Sequence, residues 1–252
     1  MNKKIKENVL LIVSILIIIL GVAIFFFPKV SNFVYEKGVE SSKEEFLLNI
    51  AESGNEEKYN TDSNGNIDKS KEENKSNLNS LFKLLQEKNQ ELYEQEQEEL
   101  VDPFSYEQSA IDLSKYGIKN NVIGYIQIPK IKIELPIILG ANTKNMKKGA
   151  VHLTQTSYPI GGTNTNCVIA AHRGYLRALF FKNIDRLEKG DKIYIQNFKE
   201  NLTYVVYDVQ ISDPNDTTNL AIKKGEDNLT LITCHPLNSN KLRYIVKAKR
   251  QE

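Results

Sequence analysis

Between residues 9 and 27 only Ser14 and Gly21 interrupt a continuous apolar run. Roughly 17 to 25 such residues are what a helix needs to cross the hydrocarbon layer of a bilayer. A helix apolar on every face needs apolar surroundings on every face, so a surface helix of a soluble domain is excluded for this stretch. Lys3, Lys4 and Lys6 precede it, and Phe25-Phe26-Phe27-Pro28 offers none of the small residues of a signal-peptidase site. The expectation is an uncleaved, single-pass anchor whose lysine-bearing end stays in the cytoplasm, with everything after about Pro28 outside.

Charge is unevenly divided beyond the anchor. Residues 40–112 hold 7 lysines against 19 acidic residues, whereas 113–252 carry a net charge of +10. An acidic arm thus precedes a basic domain. The two could dock, or the domain could approach an anionic envelope polymer, although two solvated surfaces are the plainer account. Composition then divides the chain into a tail and anchor (1–34), a polar flexible tether (35–77), a helical and loop segment (78–112) and a strand-rich domain (113–252). The tether is assigned because it has too little apolar surface to offset the entropy of ordering it. Leu78, Leu81, Phe82, Leu84, Leu85 and Leu92 give the following segment a helical stripe. Asp102-Pro103-Phe104 ends it, because the residue before a proline is pushed out of the helical region.

From Val122 onward, β-branched and alternating runs recur between proline, glycine and asparagine breaks. They read as about eight short strands, with a short helix marked by Leu176, Leu179, Phe180, Ile184 and Leu187. The fold class is therefore mostly β, a barrel or sandwich. No metal-ligand cluster is visible, and no metal, cofactor or nucleic-acid partner is expected.

Candidate chemistry collects at strand ends. Thr230-Leu231-Ile232-Thr233 is β-prone and delivers Cys234, after which His235-Pro236 stops the strand. Leu242-Arg243-Tyr244-Ile245-Val246 reads as the returning strand, with Arg243 almost opposite Cys234. Val168-Ile169-Ala170-Ala171 similarly delivers His172. Were these His and Cys strands parallel neighbours, both side chains would emerge at one rim, where an imidazolium lowers a thiol pKa and a guanidinium steadies an oxyanion. His235 should point away from Cys234, since successive strand residues face opposite sides. His152 reads as a satisfied loop residue. Cys167 reads as buried packing, although an exported protein could also pair it with Cys234 in a disulfide.

Gly149-Ala150-Val151-His152-Leu153, Tyr158-Pro159-Ile160-Gly161-Gly162, Val168 to Gly174, Thr230 to Cys234 and Arg243 together resemble a sortase, over about residues 122–246. The resemblance implies an eight-stranded sortase-type β-barrel with short helices, preceded by a helical lid segment and a transmembrane helix. It further implies that Cys234, His172 and Arg243 cleave a Leu-Pro-x-Thr-Gly-like sorting signal through a thioacyl intermediate and pass it to an amine, with Thr233 a candidate substrate contact. Asp102-Pro103-Phe104 resembles the lid of class C, or pilus, sortases, in which Asp102 would meet Arg243 and Phe104 would cover Cys234. Cys234 is followed by His235-Pro236-Leu237, where that class carries Thr-Pro-Tyr-Gly, and the residues from Arg243 to Glu252 show no second apolar run of the kind many members of that class carry. Partners implied are sorting-signal-bearing pilins or surface proteins, an amine acceptor (pilin lysine or peptidoglycan precursor) and the membrane of a Gram-positive cell. The alternatives are a sortase serving the cell wall and a catalytically silent envelope-binding module.

Overall fold

The structure is a computed structural model that describes residues 3–54, 69–95, 97, 100–105, 111–174 and 178–251. Eight strands close into one barrel: β1 (Val122–Ile128), β2 (Ile133–Leu139), β3 (Ala150–His152), β4 (Thr165–Ala170), β5 (Lys192–Asn197), β6 (Asn201–Ser212), β7 (Asp227–His235) and β8 (Leu242–Arg250). Their order around the barrel is β1-β2-β3-β4-β7-β8-β6-β5. Closure leaves no unpaired edge. Each strand coincides with a run expected from the sequence, most of them extended by a few residues.

Period-2 alternation gives the β4-β7-β8 wall two buried faces. Cys167, Ile169, Leu229, Leu231, Val246 and Ala248 fill the barrel core, while Val168, Ala170, Ile232 and Ile245 belong to a second, outer cluster with Val151, Met146 and Leu220. Leu100 and Phe104 pack against that outer cluster. The wall is therefore covered from outside by the segment ahead of the barrel.

The N-terminal part differs from the sequence reading. Helix α1 runs without interruption from Lys3 to Gly54, and α2 spans Lys69–Glu94. The tether expected over 35–77 is thus corrected for residues 35–54 and 69–77, which are helical; its middle lies outside the described residues. The reason is tertiary. Tyr35, Val39, Phe46, Leu47 and Ile50 form a stripe that packs on the barrel core together with Leu81 and Leu85 of α2, and a fully buried leucine contributes about 1.5–3 kcal/mol. Polar ties fix the register: Tyr35 donates to the Lys148 carbonyl at 2.7 Å, and Asn32 accepts from the Leu179 amide at 3.1 Å. Asn89 of α2 accepts from the Tyr158 amide at 2.7 Å. Residues before this stripe, including Leu10, Ile17 and Phe25, are exposed, and α1 is the one helix among the described residues long and apolar enough to cross a membrane.

The helix expected over Leu176 to Leu187 is also corrected from residue 178 onward, Leu176 lying outside the described residues. Residues 178–187 form turns and a single 3-10 turn, Ile184–Arg186. Ile184, Leu187 and Phe180 are buried as the apolar pattern requires, but Phe180 sits at φ 41°, which no helix permits.

Candidate active site

β4 and β7 are parallel neighbours, with Ala170 level with Ile232. His172 follows two residues past Ala170, just beyond β4, and Cys234 two residues past Ile232, still within β7, so both stand at the same rim. β8 returns antiparallel to β7 and sets Arg243 directly across from Cys234. Alternation also fixes the face: His172, Cys234 and Arg243 share the parity of Ala170, Ile232 and Ile245, the outer face that Phe104 covers. Arg243 Nη1 lies 3.8 Å from Cys234 Sγ and donates to the carbonyls of Asn240 and Leu242 at 2.9 and 3.0 Å. The guanidinium is held rigidly beside the sulfur.

Asp102 closes the site. Its carboxylate accepts Arg243 Nε and Nη2 at 2.7 Å each, a two-pronged ion pair with 6% of the arginine and 18% of the aspartate side chain exposed. Pro103 is buried, and the chain turns in a short 3-10 helix, Pro103–Ser105, pinned by hydrogen bonds from the Ser105 amide and hydroxyl to the Asp102 carbonyl. This turn lays the Phe104 ring 4.8 Å from the Arg243 guanidinium and 6.3 Å from the His172 ring. The sequence reading set the ring over Cys234; the structure sets it against the two side chains expected to serve the thiol.

Burial governs the protonation of the pair. It pushes the Cys234 thiol up, and the Asp102 charge adds to that rise while Arg243 opposes it. Burial likewise depresses the His172 imidazole, helped by Lys147. Both groups are consequently neutral near pH 7 under the lid. Burial also works against the Arg243 charge, but the Asp102 hydrogen bonds and charge outweigh it and hold its pKa above the ordinary value.

The remaining sequence candidates fall away from the thiol. Cys167 is a buried free thiol pushed far up by burial, so neither cysteine is in a disulfide. His152 is fully buried, stacked on Tyr158 with ring centroids 4.9 Å apart, and bonded through Nε2 to the Thr156 and Ser157 carbonyls. Thr233, expected as a substrate contact, is fully buried and donates to the Ala171 carbonyl at 2.7 Å. His235 faces away from Cys234, as alternation requires, and contacts Arg173. Neither Arg173 nor Asp185 was legible as a site residue, because their contact depends on a loop closure no local pattern encodes.

A closed barrel that sets a cysteine, a histidine and an arginine at one rim has the parts of a cysteine acyltransferase. The sortase-domain family model matches residues 126–251. Sortase A of Bacillus anthracis is 31% identical over 156 residues, 61% of this chain and 72% of the relative. Sortase D of Bacillus subtilis (strain 168) is 33% identical over 131 residues, 50% of this chain and 63% of the relative. Among solved structures, the pilus-related sortase C of group B Streptococcus is 36% identical at a TM-score of 0.64, covering 71% of this chain and 91% of its own. Sortase C of Streptococcus pneumoniae is 30% identical at a TM-score of 0.67, covering 84% and 97%. The chain belongs to the sortase family of cysteine transpeptidases.

Proposed function

We propose that this chain is a membrane-anchored, lidded sortase that joins a Leu-Pro-x-Thr-Gly-like sorting signal to a pilin lysine on the outer side of a Gram-positive membrane. In this reading Cys234 Sγ gives its proton to His172 and attacks the threonine carbonyl carbon. Arg243 steadies the oxyanion, a donor worth about 100- to 1000-fold in rate. The C–N bond breaks, His172 protonates the departing amine, and a thioester remains on Cys234. An incoming amine then surrenders its proton to His172 and displaces the thiolate, forming the new amide and restoring the thiol.

The observation that carries the pilus assignment is the Asp102 and Phe104 cover on Arg243. Likeness to the pilus-related sortase C of group B Streptococcus supports it. The apolar, exposed first half of α1 supports a single membrane crossing. Transfer to a cell-wall precursor amine would use the same thioester and differs only in the acceptor.

Intact-mass analysis of the full chain in detergent, with the lid released by Asp102→Ala and a sorting-signal peptide added, tests the reading. A thioacyl adduct on Cys234, absent in Cys234→Ala, is expected, followed by transfer to a pilin-lysine peptide in preference to a wall-precursor amine. No adduct would overturn the transpeptidation reading and favour a silent envelope-binding module; the reverse acceptor preference would overturn the pilus reading alone.

A further inference from the structure

Each of His172, Cys234 and Arg243 is followed by a residue of one further cluster: Arg173, His235 and Tyr244. Alternation turns His235 and Tyr244 to the side opposite Cys234 and Arg243, Tyr244 packs against the barrel core there, and Arg173 joins them from the bend after β4. They meet. Arg173 Nη1 lies 2.6 Å from His235 Nδ1, the Arg173 guanidinium sits 5.4 Å from the Tyr244 ring, and the His235 and Tyr244 rings are 5.7 Å apart. The second prong of Arg173, Nη2, donates to Asp185 at 2.7 Å from the 3-10 turn Ile184–Arg186. Only 6% of the Arg173 side chain is exposed. Gly174 follows at φ 87°, the left-handed conformation a glycine adopts freely.

We infer that Arg173 and His235 form a positioning clamp that holds the segment carrying His172 against the segment carrying Cys234, with Tyr244 as its floor and Asp185 as its outer anchor. The inference rests on the transpeptidation reading of the front face. The β4–β7 pairing ends at Ala170 and Ile232; beyond it the Ala171 amide donates to the Ile232 carbonyl at 3.3 Å and the Thr233 hydroxyl donates to the Ala171 carbonyl. The residues that must exchange a proton lie past those two ties, and the Arg173–His235 contact adds a crosslink level with them.

A guanidinium can only donate, so His235 Nδ1 is the acceptor of this contact, while Asp185 takes the second prong of Arg173 and Tyr244 packs beside both.

The experiment uses full-length protein in detergent in the Asp102→Ala background, with two readouts: thioacyl formation on Cys234 and the pH profile of Cys234 alkylation by iodoacetamide. Arg173→Ala and His235→Ala are expected to lower kcat on the order of 10- to 100-fold, the loss that a displacement of about 1 Å produces, with KM changed far less. Arg173→Lys should not rescue, because one ammonium cannot serve both His235 and Asp185 in the planes that the fork provides. His235→Asn, whose Oδ1 can accept where Nδ1 accepts, should retain kcat. Wild-type kcat in both alanine variants overturns the clamp, as does a His235→Asn enzyme as slow as His235→Ala. Should the Asp102→Ala parent form no adduct, transpeptidation falls and alkylation decides the clamp: Arg173→Ala must move the Cys234 profile, and an unmoved profile refutes it.

Discussion

Replacing Asp102 by alanine should expose and activate Cys234 together. Two charge-assisted hydrogen bonds at 2.7 Å hold the lid to Arg243, and bonds to charged groups contribute about 1.5–3 kcal/mol each. They share one carboxylate and one guanidinium, so their sum overstates the effect. A net loss of about 2–3 kcal/mol raises the open fraction about 30- to 150-fold, at 1.36 kcal/mol per factor of ten. A second effect has the same sign. The Asp102 charge pushes the Cys234 pKa up, so its removal lowers that pKa and enlarges the reactive thiolate fraction at any pH below it. The assay is the rate of iodoacetamide alkylation at pH 7, read by intact mass and peptide mapping. Cys167, buried and with its pKa far above the ordinary value, serves as the unreactive internal standard. Asp102→Asn should fall between, keeping one acceptor but no charge. Alkylation within twofold of wild type in Asp102→Ala would refute the reasoning, since neither the lid bond nor the charge would then govern the thiol.

Phe104→Ala should release the lid less: its contact with Arg243 is a cation–π pair at 4.8 Å, worth about 0.5–2 kcal/mol, so a rise in alkylation of about 2- to 30-fold is expected, and a rise larger than that of Asp102→Ala would reverse the assigned order of importance. His152 is buried with its pKa lowered to about 4, so the unfolded chain binds its proton first. Stability is then complete above about pH 6.5 and falls by on the order of 3 kcal/mol as pH drops toward 4. Urea titrations at pH 7 and 4.5 should show a smaller pH difference in His152→Gln than in wild type, and equal differences would assign the acid loss elsewhere. Asn89→Ala strands the Tyr158 amide and should cost about 1–3 kcal/mol in urea unfolding; an unchanged midpoint would mean that α2 is not held through this bond.

The strands were readable because what makes a strand is local. Period-2 patterning and the breaks at Pro129, Pro159 and Pro236 place β1 to β8 without reference to partners, and the same pattern sets Cys234 and His172 at strand ends and turns His235 away from the thiol. The pairing of Cys234 with Arg243 followed from one short loop between adjacent strands. The tether over 35–54 failed for the opposite reason: that stretch is polar by composition, and its helix stands because Tyr35, Val39 and Phe46 find a barrel surface far along the chain. The turns of 178–187 failed similarly, since burial of Phe180, Ile184 and Leu187 satisfies the apolar pattern without a helix.

By itself the sequence determined the apolar N-terminal helix, about eight strands and the placement of a thiol, an imidazole and a guanidinium at strand ends, all consequences of residue type and short-range period; the parallel pairing of β4 with β7 that brings them to one rim is tertiary. Only the tertiary structure decided how that rim is governed. The lid bond spans 141 residues from Asp102 to Arg243, and the clamp spans 62 from Arg173 to His235. Contacts of such separation leave no periodic trace in a chain, because they are selected by the shape of the closed barrel and by the desolvation of the charges it brings together.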